Sequence, residues 1–153
     1  MVVAMIFTSA IAAAGTTLTI LLGLPAWMMF MGWIAFGTSS GRVVEAPSIF
    51  ICLVLGLLLG WAGCVMVAQL SRWGVAGVAT TVFVVTGIAV LTQFLPTIGR
   101  VTVYFIGITA FFASQFPPAM ASFNSLGAAG LVGICSGVLS AYITRILTGP
   151  SSA

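Results

Sequence analysis

Phe30-Met31-Gly32-Trp33-Ile34-Ala35-Phe36-Gly37-Thr38-Ser39 returns 75 residues later as Phe105-Ile106-Gly107-Ile108-Thr109-Ala110-Phe111-Phe112-Ala113-Ser114. Five of the ten positions are identical: Phe, Gly, Ala, Phe and Ser. Further on, Ser48, Gly56 and Gly60 correspond to Ser125, Gly133 and Gly137 at an offset of 77, so one loop holds two extra residues. Pro25 and Pro96 stand ahead of the two similar stretches. Each half then reads as long helix, short helix, long helix. Three passes is an odd number, so the second copy enters a membrane from the opposite side, which makes an inverted-topology repeat. A chain rich in Gly, Ala and Phe also produces chance identities, and chance is the competing explanation.

Composition supplies the membrane. Of 153 residues, 61% are hydrophobic and 3% charged, where a soluble domain carries about 25% charged residues. Five charged side chains cannot coat a surface against water, and a mean hydropathy of +1.32 agrees. The expected fold is an all-α, polytopic membrane protein of six helices in one transmembrane domain. Repeat 1 covers about 1–72 and repeat 2 about 73–147, with a polar tail at 148–153. The apolar runs are Val2 to Leu24, Ala26 to Thr38, Pro47 to Gln69, Val75 to Leu95, Val101 to Ala113 and Asn124 to Leu147. The second and fifth are too short for the roughly 20 residues of a spanning helix, so helices 2 and 5 are expected to be short or broken. The first run lacks a positive n-region and reads as a retained span rather than a signal peptide.

The residue inventory excludes most chemistry. There is no His, and Glu45 is the only acid. General acid–base catalysis needs titratable groups within reach, so no enzyme is expected. Cys52, Cys64 and Cys135 sit singly in apolar runs and read as packing residues, with no metal site and no cofactor. Arg42, Arg72, Arg100 and Arg145 are scattered, which is no footprint for nucleic acid. They read as interfacial anchors. Arg42, Arg100 and Arg145 fall on one side with both termini, so positive-inside counting puts the termini in the cytoplasm.

Paired short helices in inverted repeats mark solute sites, because their ends lie at membrane depth. The residues expected to line a pore or solute site are Phe36, Thr38, Ser39, Phe111, Ser114, Gln115 and Asn124. Ser40 adds a third hydroxyl to the first break. Phe36 and Phe111, the matched pair, make either a hydrophobic constriction or ordinary core packing. Small residues recur every four positions at Gly56, Gly60, Cys64 and Ala68, and again at Gly133, Gly137 and Ala141. This small-xxx-small pattern brings helices close in lipid, within one chain or between subunits.

Gly23-Leu24-Pro25-Ala26-Trp27, then Phe30-Met31-Gly32, then Ala35-Phe36 resemble the signature of the YcdZ-like family of small bacterial inner-membrane proteins, the DUF1097 domain family. The resemblance covers the first third of the chain and extends to the remainder in hydropathy. It implies a multi-pass protein of the bacterial cytoplasmic membrane and brings no catalytic motif. The function expected is a small channel or facilitator-type transporter for a small, uncharged solute. The alternative is a non-transporting subunit or assembly partner of a larger membrane complex. Partners to look for are the lipid bilayer, a solute and a second copy of the chain in a homo-oligomer.

Overall fold

Glycine and proline set the helix ends. The computed structural model describes residues 2–39 and 41–148; Met1, Ser40 and 149–153 lie outside the described residues. Helix α1 (Val2–Leu21) stops where Gly23 takes a φ of +66°, and the Leu24 N–H donates back to the Thr19 carbonyl. This is a glycine-ended Schellman turn. Pro25 then caps α2 (Ala26–Gly37). One 3-10 turn at Val43–Glu45 leads into α3 (Ala46–Gln69), which carries a proline in its first turn, where the missing N–H does no harm. Gly74, at φ +54°, joins α3 to α4 (Val75–Leu91). A 3-10 turn at Thr92–Phe94 and Pro96 end that helix. Helix α5 (Val101–Ser114) closes on Gln115 in the left-handed region at φ +52°. Helix α6 (Met120–Thr148) completes the chain.

The structure is all-α, with no strand among the described residues. Four stretches are long and apolar enough to cross a membrane: Val3–Leu21, Val43–Gln69, Val75–Phe94 and Met120–Leu147. Helices α2 and α5, with 12 and 14 residues, reach about 18 and 21 Å against a bilayer core of about 30 Å. They are short rather than broken. Helix α6 begins at Met120, four residues ahead of the expected start at Asn124. Pro117 and Pro118 block the helix before it, but nothing after Ala119 does, and the Phe123 N–H already bonds the Ala119 carbonyl.

Contacts fix the helix directions. Met29 meets Gly133 and Phe36 meets Gly137, so α2 and α6 run parallel. Gly56 meets Tyr104 and Gly60 meets Phe111, so α3 and α5 run parallel. Thr8 bonds Ser140 while Gly15 faces Ser136, so α1 is antiparallel to α6. Gly63 faces Val85 and Leu70 faces Gly77, so α4 is antiparallel to α3. Met28 and Leu53 both reach Gly130, and a short loop joins the end of α2 to the start of α3, so α3 is antiparallel to α2 and hence to α6. The tightest pairings, α2 on α6 and α5 on α3, enclose a core that includes Met28, Leu53, Leu57, Phe111 and Leu126. Helix α4 adds Val85 and Ala89 to that core along one face, while α1 and the outer face of α4 expose Ile6, Ile20, Leu21, Phe83 and Leu91. Only an apolar solvent covers such faces without penalty, so the chain is a membrane protein.

Candidate functional site at two glycine crossings

The two short helices are held by bare backbone. A Cβ on Gly56 of α3 would stand 2.5 Å from the Tyr104 carbonyl oxygen of α5. On α6, a Cβ at Gly133 would overlap the Met29 carbonyl of α2. Gly107 of α5 closes against the Leu53 carbonyl at 2.6 Å, and Gly32 of α2 closes against the Gly130 carbonyl. Gly60 takes the Phe111 ring stem at 2.7 Å, and Gly137 takes the Phe36 ring at 2.9 Å. Only glycine permits this approach, because any side chain would push the helices apart. Small residues at four-residue spacing supply the surface on each long helix. Cys64 is half-buried and Ala68 exposed, so the close contact ends at Gly60 and Gly63.

These contacts form matched pairs. Adding 75 to a position on α2 and 77 to one on α3 converts each contact of one crossing into a contact of the other. The outer helices are held differently: Thr8 and Ser140 hydrogen-bond at 3.0 Å, and Val85 packs on Gly63, with a Cγ2 3.3 Å from the built Cβ.

The seven expected lining residues form two groups. Helices α2 and α5 run in opposite directions, so Thr38 and Ser39 lie at one end of the bundle. Ser114, Gln115 and Asn124 lie at the other. Phe36 and Phe111 do not face each other across a constriction. Matched positions on opposed helices sit toward opposite ends, and each ring is buried, 3% and 0% exposed, against a glycine of the other half. Thr38 and Ser39 donate to the Ala35 carbonyl at 3.3 and 3.0 Å. Ser114 donates to the Phe111 carbonyl at 2.7 Å and accepts the Phe116 N–H at 3.2 Å. These hydroxyls satisfy backbone groups at the helix ends, Thr38 from an exposed position and Ser39 and Ser114 from half-buried ones. Gln115 and Asn124 are exposed.

Charge marks one end. Glu45, just ahead of α3, pairs with Arg100, just ahead of α5, and lies 3.8 Å from Arg42. Both side chains of the Arg100–Glu45 pair are about three-quarters covered, and the Arg100 Nε is buried without a partner. The pair ties the first half of the chain to the second. The sequence reads Arg100 as an interfacial anchor and Glu45 as the one acid of the chain. Their meeting was not readable, because 55 residues separate them. The Thr8–Ser140 bond was also missed, although hydroxyls at Thr8, Thr16 and Thr19 on α1 hinted at a polar seam. No group of three potential metal ligands comes together among the described residues.

No curated protein and no solved structure matches the chain. The profile of a family described as "Protein of unknown function (DUF1097)" matches residues 5–145. With nearly the whole helical bundle inside that match, the chain belongs to the DUF1097 family.

Proposed function

We propose that this protein is a small channel or facilitator-type transporter for a small, uncharged solute, built as two inverted copies of a three-helix unit. The copies would be residues 1–72 and 73–147. One observation carries the reading: the glycine contacts of one crossing recur in the other at the two offsets that relate the halves in sequence. Helix directions add support, since α1, α2 and α3 each run opposite to α4, α5 and α6 in turn. Inverted repeats let a solute reach one site from either face by rocking one half against the other. Glycine crossings suit such small sliding motions, because backbone on backbone presents few interlocked side chains.

In this reading Thr38 and Ser39 form one mouth, and Ser114, Gln115 and Asn124 form the other. Their hydroxyl and amide groups replace hydration as the solute enters. Phe36 and Phe111 are the plugs, one toward each mouth, and each seals when its ring seats on glycine. With no Lys or His in the chain and its one acid, Glu45, at the very start of a span rather than mid-membrane, the inventory argues against proton coupling, and it argues against an enzyme as well. We place the protein in the bacterial cytoplasmic membrane with both termini inside, on the three arginines of that end.

Purified protein in liposomes tests the proposal. A panel of small polar solutes should include at least one that equilibrates faster than in empty liposomes. Phe111→Ala and Phe36→Ala should each speed it by unseating a plug. A full panel with no accelerated solute sinks the reading. A stoichiometric unrelated partner on purification in mild detergent would move the assignment to a subunit of a larger complex.

A further inference from the structure

The glycine faces of α3 and α6 are occupied within the chain by α5 and α2. Helix α4 keeps a different glycine open. A Cβ built at Gly87 meets no atom within 4 Å. The notch above it, about 500 Å³, is lined by Val82, Phe83, Thr86, Val90 and Leu91. Val85 and Ala89 turn the other side of this helix to the core. Phe83 and Leu91 stand one turn to either side of the glycine, 80% and 65% exposed.

Thr86 differs from the other threonines of its helix. Thr80 and Thr81 each donate to the carbonyl one turn back, at 2.9 Å. Thr86 makes no side-chain hydrogen bond among the described residues. It lies about 17 Å along α4 from Val75, within the hydrocarbon. A hydroxyl without an acceptor at that depth is costly, and lipid tails offer none.

We propose that α4 is a dimer interface. Two copies in the same orientation pack α4 on α4 about a twofold axis along the membrane normal. The helices cross at Gly87, and the two Thr86 hydroxyls bond each other. Three arguments choose a second copy as the occupant. A threonine hydroxyl both donates and accepts, so two Thr86 side chains related by a twofold are mutual partners, as an acyl chain cannot be. Gly87 lets the two backbones approach, as Gly56 and Gly133 do inside the chain. The area also suffices. The exposed parts of Val82, Phe83, Val90, Leu91 and Phe94 come to about 600 Å² per copy, or about 1,200 Å² for the pair, where stable interfaces begin. The interface uses neither mouth nor plug residues, so it stands whether or not the protein conducts a solute.

Cross-linking and sedimentation of the full chain test it. In proteoliposomes, with Cys64→Ser and Cys135→Ser in place, Val90→Cys should give a disulfide dimer under mild oxidation. Ile88→Cys, exposed on another side of α4, should not. In mild detergent, sedimentation equilibrium should show a dimer. Gly87→Leu enters open space within its own copy, so the chain should stay folded while association weakens at least tenfold. Thr86→Val should weaken association about threefold, the size of one such hydrogen bond in lipid, and Thr86→Ser should restore it. A native chain that sediments as a monomer, a Gly87→Leu chain that stays fully dimeric, or equal cross-linking at Ile88→Cys and Val90→Cys overturns the proposal. A stoichiometric foreign protein that is lost in Gly87→Leu also overturns it, by assigning the face to a different partner.

Discussion

The crossing of α2 on α6 and the crossing of α5 on α3 share their glycine contacts and differ in how their ends are fastened. Helix α5 starts at Arg100, which reaches across to Glu45 at the start of α3. The counterparts of these residues, at the same two offsets, are Pro25 and Ser122, which cannot form an ion pair. On the outer helices Thr8 of α1 hydrogen-bonds Ser140 of α6, while Val85 of α4 packs on Gly63 of α3. Close backbone packing is thus common to both halves, and polar fastening is specific to one place in each. In lipid this division makes physical sense. Association there rests on van der Waals fit, which both crossings need equally. Each buried polar pair is a local addition that carries its own desolvation cost.

The largest expected effects test the shared part. Gly133→Leu and Gly56→Leu each drive a side chain into a facing carbonyl and should cost about 3 kcal/mol or more. Heated detergent samples followed by gel filtration would show the loss. Equal losses sharpen the comparison, and a large difference breaks it. Next comes the charge latch. Glu45→Gln leaves Arg100 half-buried without its carboxylate and should cost about 2 kcal/mol, less than for a fully buried pair. The exchanged pair Glu45→Arg with Arg100→Glu should recover much of this in the same assay, whereas Pro25→Ala at the counterpart should change stability by under about 1 kcal/mol. Thr8→Val removes the fastening on the other side and should cost about 0.6 kcal/mol, the average for such bonds in lipid. Smallest is Gly87→Ala. No atom stands within 4 Å of its Cβ position, so the change should stay under about 0.5 kcal/mol.

How far the sequence reached depends on the range of the interaction. The expected ends at Thr38 and Ala113 fall one residue from the observed Gly37 and Ser114, because turn residues and Pro117-Pro118 act within a few residues, whereas α1 stops at Leu21, three residues before the expected Leu24, on the turn that Gly23 makes. The extended start of α6 escaped reading because permissive residues such as Ala119 and Met120 carry no signal. Phe36 and Phe111 were recognisable as a matched pair. Their positions against Gly137 and Gly60 were not, since the pairing crosses from one half of the chain to the other.

Composition and hydropathy alone determined that lipid, not water, surrounds this chain, because five charges cannot solvate its surface. Glycine spacing alone determined which helix faces approach closely. Only tertiary structure decided which faces meet, that the short helices lie against the long helices of the opposite half, and that Glu45 finds Arg100. An apolar sequence specifies burial everywhere and partners nowhere, so partner choice waits for the shapes that fit.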